Sequence, residues 1–229
     1  MTKKEALEEE KKKLQANLWK FYLWVLVGSF FFINSIFLLY YRHFELSFSD
    51  IALIQVAVLI AIFVLEIPSG AFADLVGRKW SIVLGDALML AGMIIFGIGS
   101  SLSVFLIAAV VFGSGGAFIS GSRQAIIYDT FKKLKRQKEY LKFRSKEAAI
   151  FAGVCIFTSY FGPFLFSVNV RYPYYAGAIV TFFSVLIATT FFEPPMKKIK
   201  LSIRNHYIHM KESAKHVLHH SKLLWLILF

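Results

Sequence analysis

Three charged residues lie inside long apolar stretches of the sequence, Glu66, Asp86 and Arg123. Ionised groups within hydrocarbon are costly, so such residues usually mark functional positions. Each lies six to eight residues from the same boundary of its stretch, which is about 9–12 Å along a helix. Fully ionised, the three carry a net charge of −1, so we expect one carboxylate to exchange a proton near neutral pH, with Glu66 the better candidate. The alternative is a buried ion pair that only positions helices.

Six apolar runs must position these residues. Each has about 20 residues or more, enough to cross about 30 Å of hydrocarbon as a helix. The runs cover residues 18–40, 49–73, 80–101, 103–127, 147–168 and 172–192. The composition agrees, since 57% of the 229 residues are hydrophobic and 25 are Phe, which excludes a disordered chain. The sequence therefore predicts an all-α integral membrane protein with six transmembrane helices.

Positive charge is distributed unevenly between the two sides of these runs. Of 26 Lys and Arg residues, 23 fall on one side, and the opposite side has only Arg42 and Arg171. By the positive-inside rule, both ends and the basic loops are cytoplasmic in a multi-pass protein of the cell (plasma or inner) membrane. Topology thus explains the net charge of +12 without nucleic acid. The eight cations of the loop from Lys132 to Lys146 could also bind anionic lipid headgroups.

The apolar pattern divides the chain into four segments. These are a cytoplasmic N-terminal segment 1–17, the six-helix bundle 18–192, a basic cytoplasmic linker 193–221 and the start of a seventh transmembrane helix, 222–229. The seven apolar residues from Leu223 to Phe229 span about 10 Å, a third of a bilayer. We therefore expect the first half of a longer protein, whose C-terminal six-helix half is missing here.

The most specific string lies between the second and third runs, GAFADLVGRK at residues 70–79. Gly77 allows a tight turn with positive φ, and Gly70 lets another helix approach closely. The string resembles the loop signature of the major facilitator superfamily, Gly-x-x-x-Asp-x-x-Gly-Arg-Lys, in the same position between the second and third helices. The family often has Arg where Leu75 stands.

Other strings resemble the drug-efflux branches of that family. They are the EIPSG string that begins at Glu66 and the SGSRQA string at residues 120–125, followed by Tyr128 and Asp129. Gly162-Pro163 in the fifth run is similar to part of the antiporter signature. The resemblance also implies a conformational latch between two states, formed by Gly70, Asp74, Gly77, Arg78, Lys79 and Asp129. A local ion pair between Asp74 and the neighbouring cations is the alternative.

The resemblance covers the whole chain and implies the N-terminal bundle of a secondary transporter, built from two three-helix inverted repeats. The implied activity is proton-coupled export of amphipathic small molecules by alternating access, without enzymatic activity or a cofactor. The implied partners are membrane lipid, a small-molecule substrate, protons and a C-terminal half. Two alternatives remain, a proton-coupled metabolite uptake carrier and a non-transporting six-helix interaction protein.

Uncharged residues supply candidates for a substrate cavity. Asn34 and Gln55 could hydrogen-bond a substrate or equally another helix. Phe157 and Tyr160 could line an apolar cavity, although most aromatic residues of such a chain face lipid. An i,i+4 histidine pair at 216 and 220 could bind a metal, but no Cys or carboxylate pattern completes a site, so no metal site is predicted. A basic helix on the membrane surface is the preferred interpretation of that segment.

Overall fold

Residues 3–193 are described by a computed structural model of the chain. Within that range the chain forms helices and no strand. The helices are α1 (Lys3–Gly28), α2 (Phe37–His43), α3 (Phe48–Val76), α4 (Arg78–Ile98), α5 (Leu102–Lys133), α6 (Tyr140–Val168) and α7 (Tyr172–Thr189), with a single 3₁₀ turn at Gln137–Glu139. The predicted all-α fold class is confirmed. Five helices, α3 to α7, are long and apolar enough to cross a membrane, and large apolar side chains such as Phe63 and Ile156 are exposed on them.

The first predicted span, 18–40, is not one continuous helix. Helix α1 ends at Gly28 and α2 begins only at Phe37. The Ser29 amide bonds back three residues to the Leu26 carbonyl, and the Ser29 hydroxyl donates to the Val25 carbonyl. Glycine and serine followed by three phenylalanines are weak helix formers, and a side chain that bonds the backbone competes with the helix. We call residues 29–36 the α1–α2 break.

The predicted loop 132–146 is also mostly helical. Helix α5 continues to Lys133 and α6 begins at Tyr140, so only residues 134–139 connect them. The Phe143 side chain is buried in a core cluster, which favours a helical first turn of α6 that packs on the bundle. Arg144 therefore lies on a helix and not in a loop.

Two apolar clusters form the core, one toward each end of the bundle. The cluster at what we call the basic end contains Phe21, Trp24, Ile82, Ile126, Phe131, Phe143 and Phe191. The cluster at what we call the aromatic end contains Tyr40, Tyr41, Ile54, Phe96, Phe105 and Tyr174. Between them α4 crosses α5 closely, because a Cβ added at Gly115 would lie 2.5 Å from the Gly85 carbonyl oxygen.

A tight turn joins α3 to α4 at the basic end. Gly77 has φ +123°, as the sequence predicted for this position. The Glu193 carboxylate, just after α7, accepts hydrogen bonds from the backbone amides of Arg78 (2.6 Å) and Lys79 (3.3 Å). It therefore satisfies two of the amides that a helix start leaves unpaired.

Several sequence predictions concern residues outside the described part of the chain. They are the linker after Glu193, the histidines at 216 and 220 and the start of a seventh helix at 222–229.

Candidate functional site

A cavity of about 310 Å³ lies among α1, α4, α5, α6 and α7. Four ionisable side chains line it: Asp86, Arg123, Arg144 and Glu147. Apolar side chains form the rest of the wall, among them Val25, Phe31, Met89, Ile119 and Phe151. We call it the charged cavity. Mixed walls of this kind are typical of small-molecule sites, where a few polar groups orient a mainly apolar ligand.

The Asp86 carboxylate is buried, with 4% of the residue exposed. Its Oδ2 accepts hydrogen bonds from Trp24 Nε1 at 2.7 Å and from Ser184 Oγ at 3.0 Å. Both bonds compensate for part of the hydration that the carboxylate gives up. They also connect α4 to α1 and α7.

Glu147 is equally buried and is shared by two arginines. Its Oε1 contacts Arg123 of α5, and its Oε2 contacts Arg144 one turn earlier on α6. The Arg123 guanidinium also lies 5.4 Å from the centre of the Trp24 ring, a favourable cation–π arrangement. Trp24 therefore touches both Asp86 and Arg123, so one continuous network joins all five helices around the cavity.

The structure separates the three charged residues that the sequence predicted to meet. Asp86 and Arg123 line the charged cavity, but Glu66 does not, and this part of the prediction is wrong. Helix α3 contributes no side chain to that cavity. Glu66 instead lines a second cavity of about 220 Å³ between α3 and α5, together with Asp74 and Arg78.

Three of the six predicted latch residues, Gly70, Asp74 and Arg78, line this second cavity. Arg78, at the start of α4, forms an ion pair with Asp129 near the end of α5. Asp74 and Gly70 line the same cavity, and a Cβ at Gly70 would meet no atom within 4 Å. The structure thus brings together Arg78 and Asp129, the cation and the acid that the predicted latch requires. Lys79 lies apart, with its ammonium 5.2 Å from the Trp80 ring centre.

Two of the four residues predicted for a substrate cavity occur together. Asn34 and Gln55 line a third cavity of about 320 Å³ at the aromatic end, among aromatic side chains that include Phe112 and Tyr174. Phe157 and Tyr160 of α6 line none of these three cavities, and Tyr160 is 83% exposed. Phe157 packs against Phe30 and Phe161, and a role for Phe157 and Tyr160 in a substrate cavity stays a prediction.

Three residues of the charged cavity, Arg144, Glu147 and Trp24, are not predicted from the sequence. The fifth apolar run begins at residue 147, so the pattern places Arg144 in a loop and Glu147 at a boundary. Arg144 and Glu147 are spaced i,i+3, as expected for neighbours on one helix face, and this spacing was the available signal. Trp24 carries no charge, so nothing distinguished it from the other aromatic residues.

Two further ion pairs lie outside the membrane-spanning segments. Lys13, hydrogen-bonded to Glu9 one turn away on α1, holds the pKa of that carboxyl below its ordinary value. Two hydrogen bonds of 2.6 Å to Glu139 raise the pKa of the Arg136 guanidinium. These pairs are exposed, so each contributes little to stability.

The family model of the Major Facilitator Superfamily matches residues 21–229. This match covers most of the chain, and the chain therefore belongs to the major facilitator superfamily, whose members are transporters and not enzymes. Together with the five apolar helices, it defines a multi-pass membrane protein. A comparison with curated proteins finds no match.

Proposed function

We propose that the chain is the N-terminal six-helix part of a secondary transporter that exports amphipathic small molecules in exchange for protons. In this proposal a second six-helix half completes the carrier, and substrate crosses the cell membrane by alternating access. The observation that carries the proposal is the buried Asp86 carboxylate, which faces a cavity of mixed polarity within apolar helices. The excess of Lys and Arg on one side of the spans supports a cytoplasmic location for the N-terminus and the linker.

In this proposal, proton coupling acts through the charge balance of the cavity. Two carboxylates and two guanidiniums line it, and these four charges cancel when all are ionised. A proton on Asp86 leaves a net charge of +1 and weakens the hydrogen bonds from Trp24 and Ser184. Because those bonds connect α4 to α1 and α7, protonation favours a different arrangement of these helices. A proton thus acts as a ligand that shifts a two-state equilibrium.

The latch is the second part of this proposal. The Arg78–Asp129 ion pair and the neighbouring Asp74 lie where α3, α4 and α5 meet at the basic end. The open space around Gly70 supports the approach of another helix there. We expect the latch to stabilise one conformation and to open in the other.

Transport in inverted membrane vesicles tests the proposal. Cells express the native gene, and an imposed pH gradient drives accumulation of fluorescent amphiphiles of either charge. We expect the Asp86→Asn variant to lose gradient-driven accumulation and to retain passive exchange of substrate. Glu45→Gln is the matched control, because it neutralises an exposed carboxylate in the loop between α2 and α3.

Three outcomes contradict the proposal in different ways. Accumulation that is unaffected in the Asp86→Asn variant excludes Asp86 as the coupling group. Movement of substrate with the proton, rather than against it, favours the alternative of an uptake carrier. No transport of any probe by normally inserted protein favours the alternative of an interaction protein.

A further inference from the structure

The charged cavity contains two arginines that share a single acceptor. Arg123 and Arg144 have side chains that are 33% and 41% exposed, whereas the Glu147 side chain is 5% exposed. Each guanidinium carries five N–H donors, and among the described residues Glu147 is the one carboxylate paired with either. The Nε of Arg123 has no hydrogen-bond partner in that part of the chain. The arginine pair therefore has donors to spare for another oxyanion.

Charge at this end of the cavity favours an anion. Two guanidiniums and one carboxylate lie at this end, and the cavity as a whole carries a charge of +1 when its other carboxyl, Asp86, is protonated. The other carboxylate, Asp86, uses Oδ2 to accept bonds from Trp24 and Ser184, and the Trp24 ring lies against the Arg123 guanidinium. The remaining walls are apolar, with Val25 among them. A ligand that fits both regions has an anionic head and an apolar body.

We propose that Arg123 and Arg144 bind the anionic head of an amphipathic ligand, a carboxylate, sulfonate or phosphate, and that Glu147 competes with the ligand for the same guanidiniums. Planar guanidiniums match oxyanions in bidentate geometry. Because Glu147 is on α6 and Arg123 is on α5, an anion that displaces Glu147 also breaks the ion pair between these helices. The inference rests on the proposed function for its transport role, and it names the substrate class.

Calorimetric titration of the native protein in phosphatidylcholine nanodiscs tests the site. The probe is 1-octanesulfonate, whose charge does not depend on pH, and heats from protein-free nanodiscs are subtracted. We expect Arg144→Gln to weaken binding about tenfold, as for one lost charge-assisted hydrogen bond. We expect Glu147→Gln to strengthen binding about tenfold, because the competing carboxylate has lost its charge.

The chain offers a matched control in Arg136. This arginine also pairs with a glutamate three residues later, Glu139, but it is exposed and outside the cavity. Arg136→Gln should bind octanesulfonate as the native protein does. Octyltrimethylammonium, the cationic counterpart of the probe, should show no saturable binding.

The Glu147→Gln variant separates recognition from a structural role. If Glu147 only held α5 and α6 together, its neutralisation would weaken or abolish binding. Unchanged affinity in both Arg144→Gln and Glu147→Gln overturns the proposal, and so does equally tight binding of the cation. Arg144 is chosen over Arg123 because it is the more exposed, so its substitution disturbs the fold less.

A further titration identifies the source of the anion. If nanodiscs that contain phosphatidylglycerol lower the affinity for octanesulfonate more in the native protein than in Arg144→Gln, an anionic lipid headgroup occupies the arginine pair, because the surface potential of the bilayer acts on both proteins equally. If they leave the affinity unchanged, a soluble amphiphile is the ligand, and either result supports the anion site. If Arg144→Gln weakens and Glu147→Gln strengthens octanesulfonate binding but the protein shows no proton-driven transport, only the proposed function is contradicted. If proton-driven transport is observed but the two substitutions leave octanesulfonate binding unchanged, only this inference is contradicted.

Discussion

The Asn17 side chain binds the backbone of Phe192 through both of its polar atoms. Its Nδ2 donates to the Phe192 carbonyl at 2.6 Å, and its Oδ1 accepts from the Phe192 amide at 2.9 Å. Asn17 is fully buried, and Lys20 on the next turn of α1 donates to the Thr190 carbonyl at 2.7 Å. The segment that follows α7 is therefore fixed along α1 before it reaches α4 at Glu193.

Asn17→Ala should destabilise the protein by about 2 kcal/mol, because a backbone donor and acceptor lose their partners away from water. Thermal unfolding of the purified native protein in detergent measures the effect as a lower Tm. Gln15→Ala is the control, since Gln15 is exposed on the same helix. Equal melting temperatures for the two variants would show that the Asn17 bonds contribute nothing.

Gly162→Ala should also destabilise the protein, by about 1–3 kcal/mol, as expected for an overpacked contact. A Cβ at this position would overlap the Phe32 carbonyl in the α1–α2 break. Gly153→Ala on the same helix is a matched control, because a Cβ there meets no atom within 4 Å. The measurement is again Tm, and a loss of the same size in both variants would contradict the steric explanation.

Asp74→Asn should reduce transport at least about tenfold while protein levels in the membrane stay normal. The Asp74 carboxylate lines the second cavity with Arg78. In this prediction its charge stabilises one of the two conformations relative to the other by more than about 1.4 kcal/mol. Initial transport rates, normalised to the amount of inserted protein, measure the effect. Normal transport by this variant would exclude the latch.

Glu66→Gln should retain proton-driven accumulation, in contrast to Asp86→Asn. Glu66 is exposed and lines the second cavity, whereas Asp86 is buried in the charged cavity. Comparison of the two variants in the same pH-gradient assay tests this assignment. If Glu66→Gln loses coupling and Asp86→Asn keeps it, Glu66 is the coupling carboxylate, as charge and depth in the sequence predict.

Hydropathy predicted the spanning helices well because lipid requires long apolar segments. It could not locate the α1–α2 break, since residues 29–36 are as apolar as their neighbours and the backbone bends through local hydrogen bonds. It also placed the start of α6 too late. The polar first turn of that helix is ordered by burial of Phe143, which is a tertiary effect.

The site was predictable only where charge stood out from its surroundings. Asp86 and Arg123 were found because they interrupt apolar runs. Their neighbours were not found, because Glu147 lies at the edge of a run and Trp24 is one aromatic residue among many. The depth of Glu66 in the membrane predicts that it belongs to the same cluster. Depth alone does not determine which side of a helix a residue faces.

The hydrogen bonds at the basic end also affect the order in which the protein can be completed during synthesis. Asn17 and Phe192 are separated by 175 residues, and Arg78 and Glu193 by 115. At about 5–20 residues added per second, roughly 9–35 s pass between the synthesis of Asn17 and that of Phe192. Roughly 6–23 s pass between the synthesis of Arg78, at the start of α4, and that of Glu193, which caps it. During that interval the turn at Gly77 is present without Glu193, so a nascent chain that stops before residue 193 lacks the carboxylate that caps the start of α4.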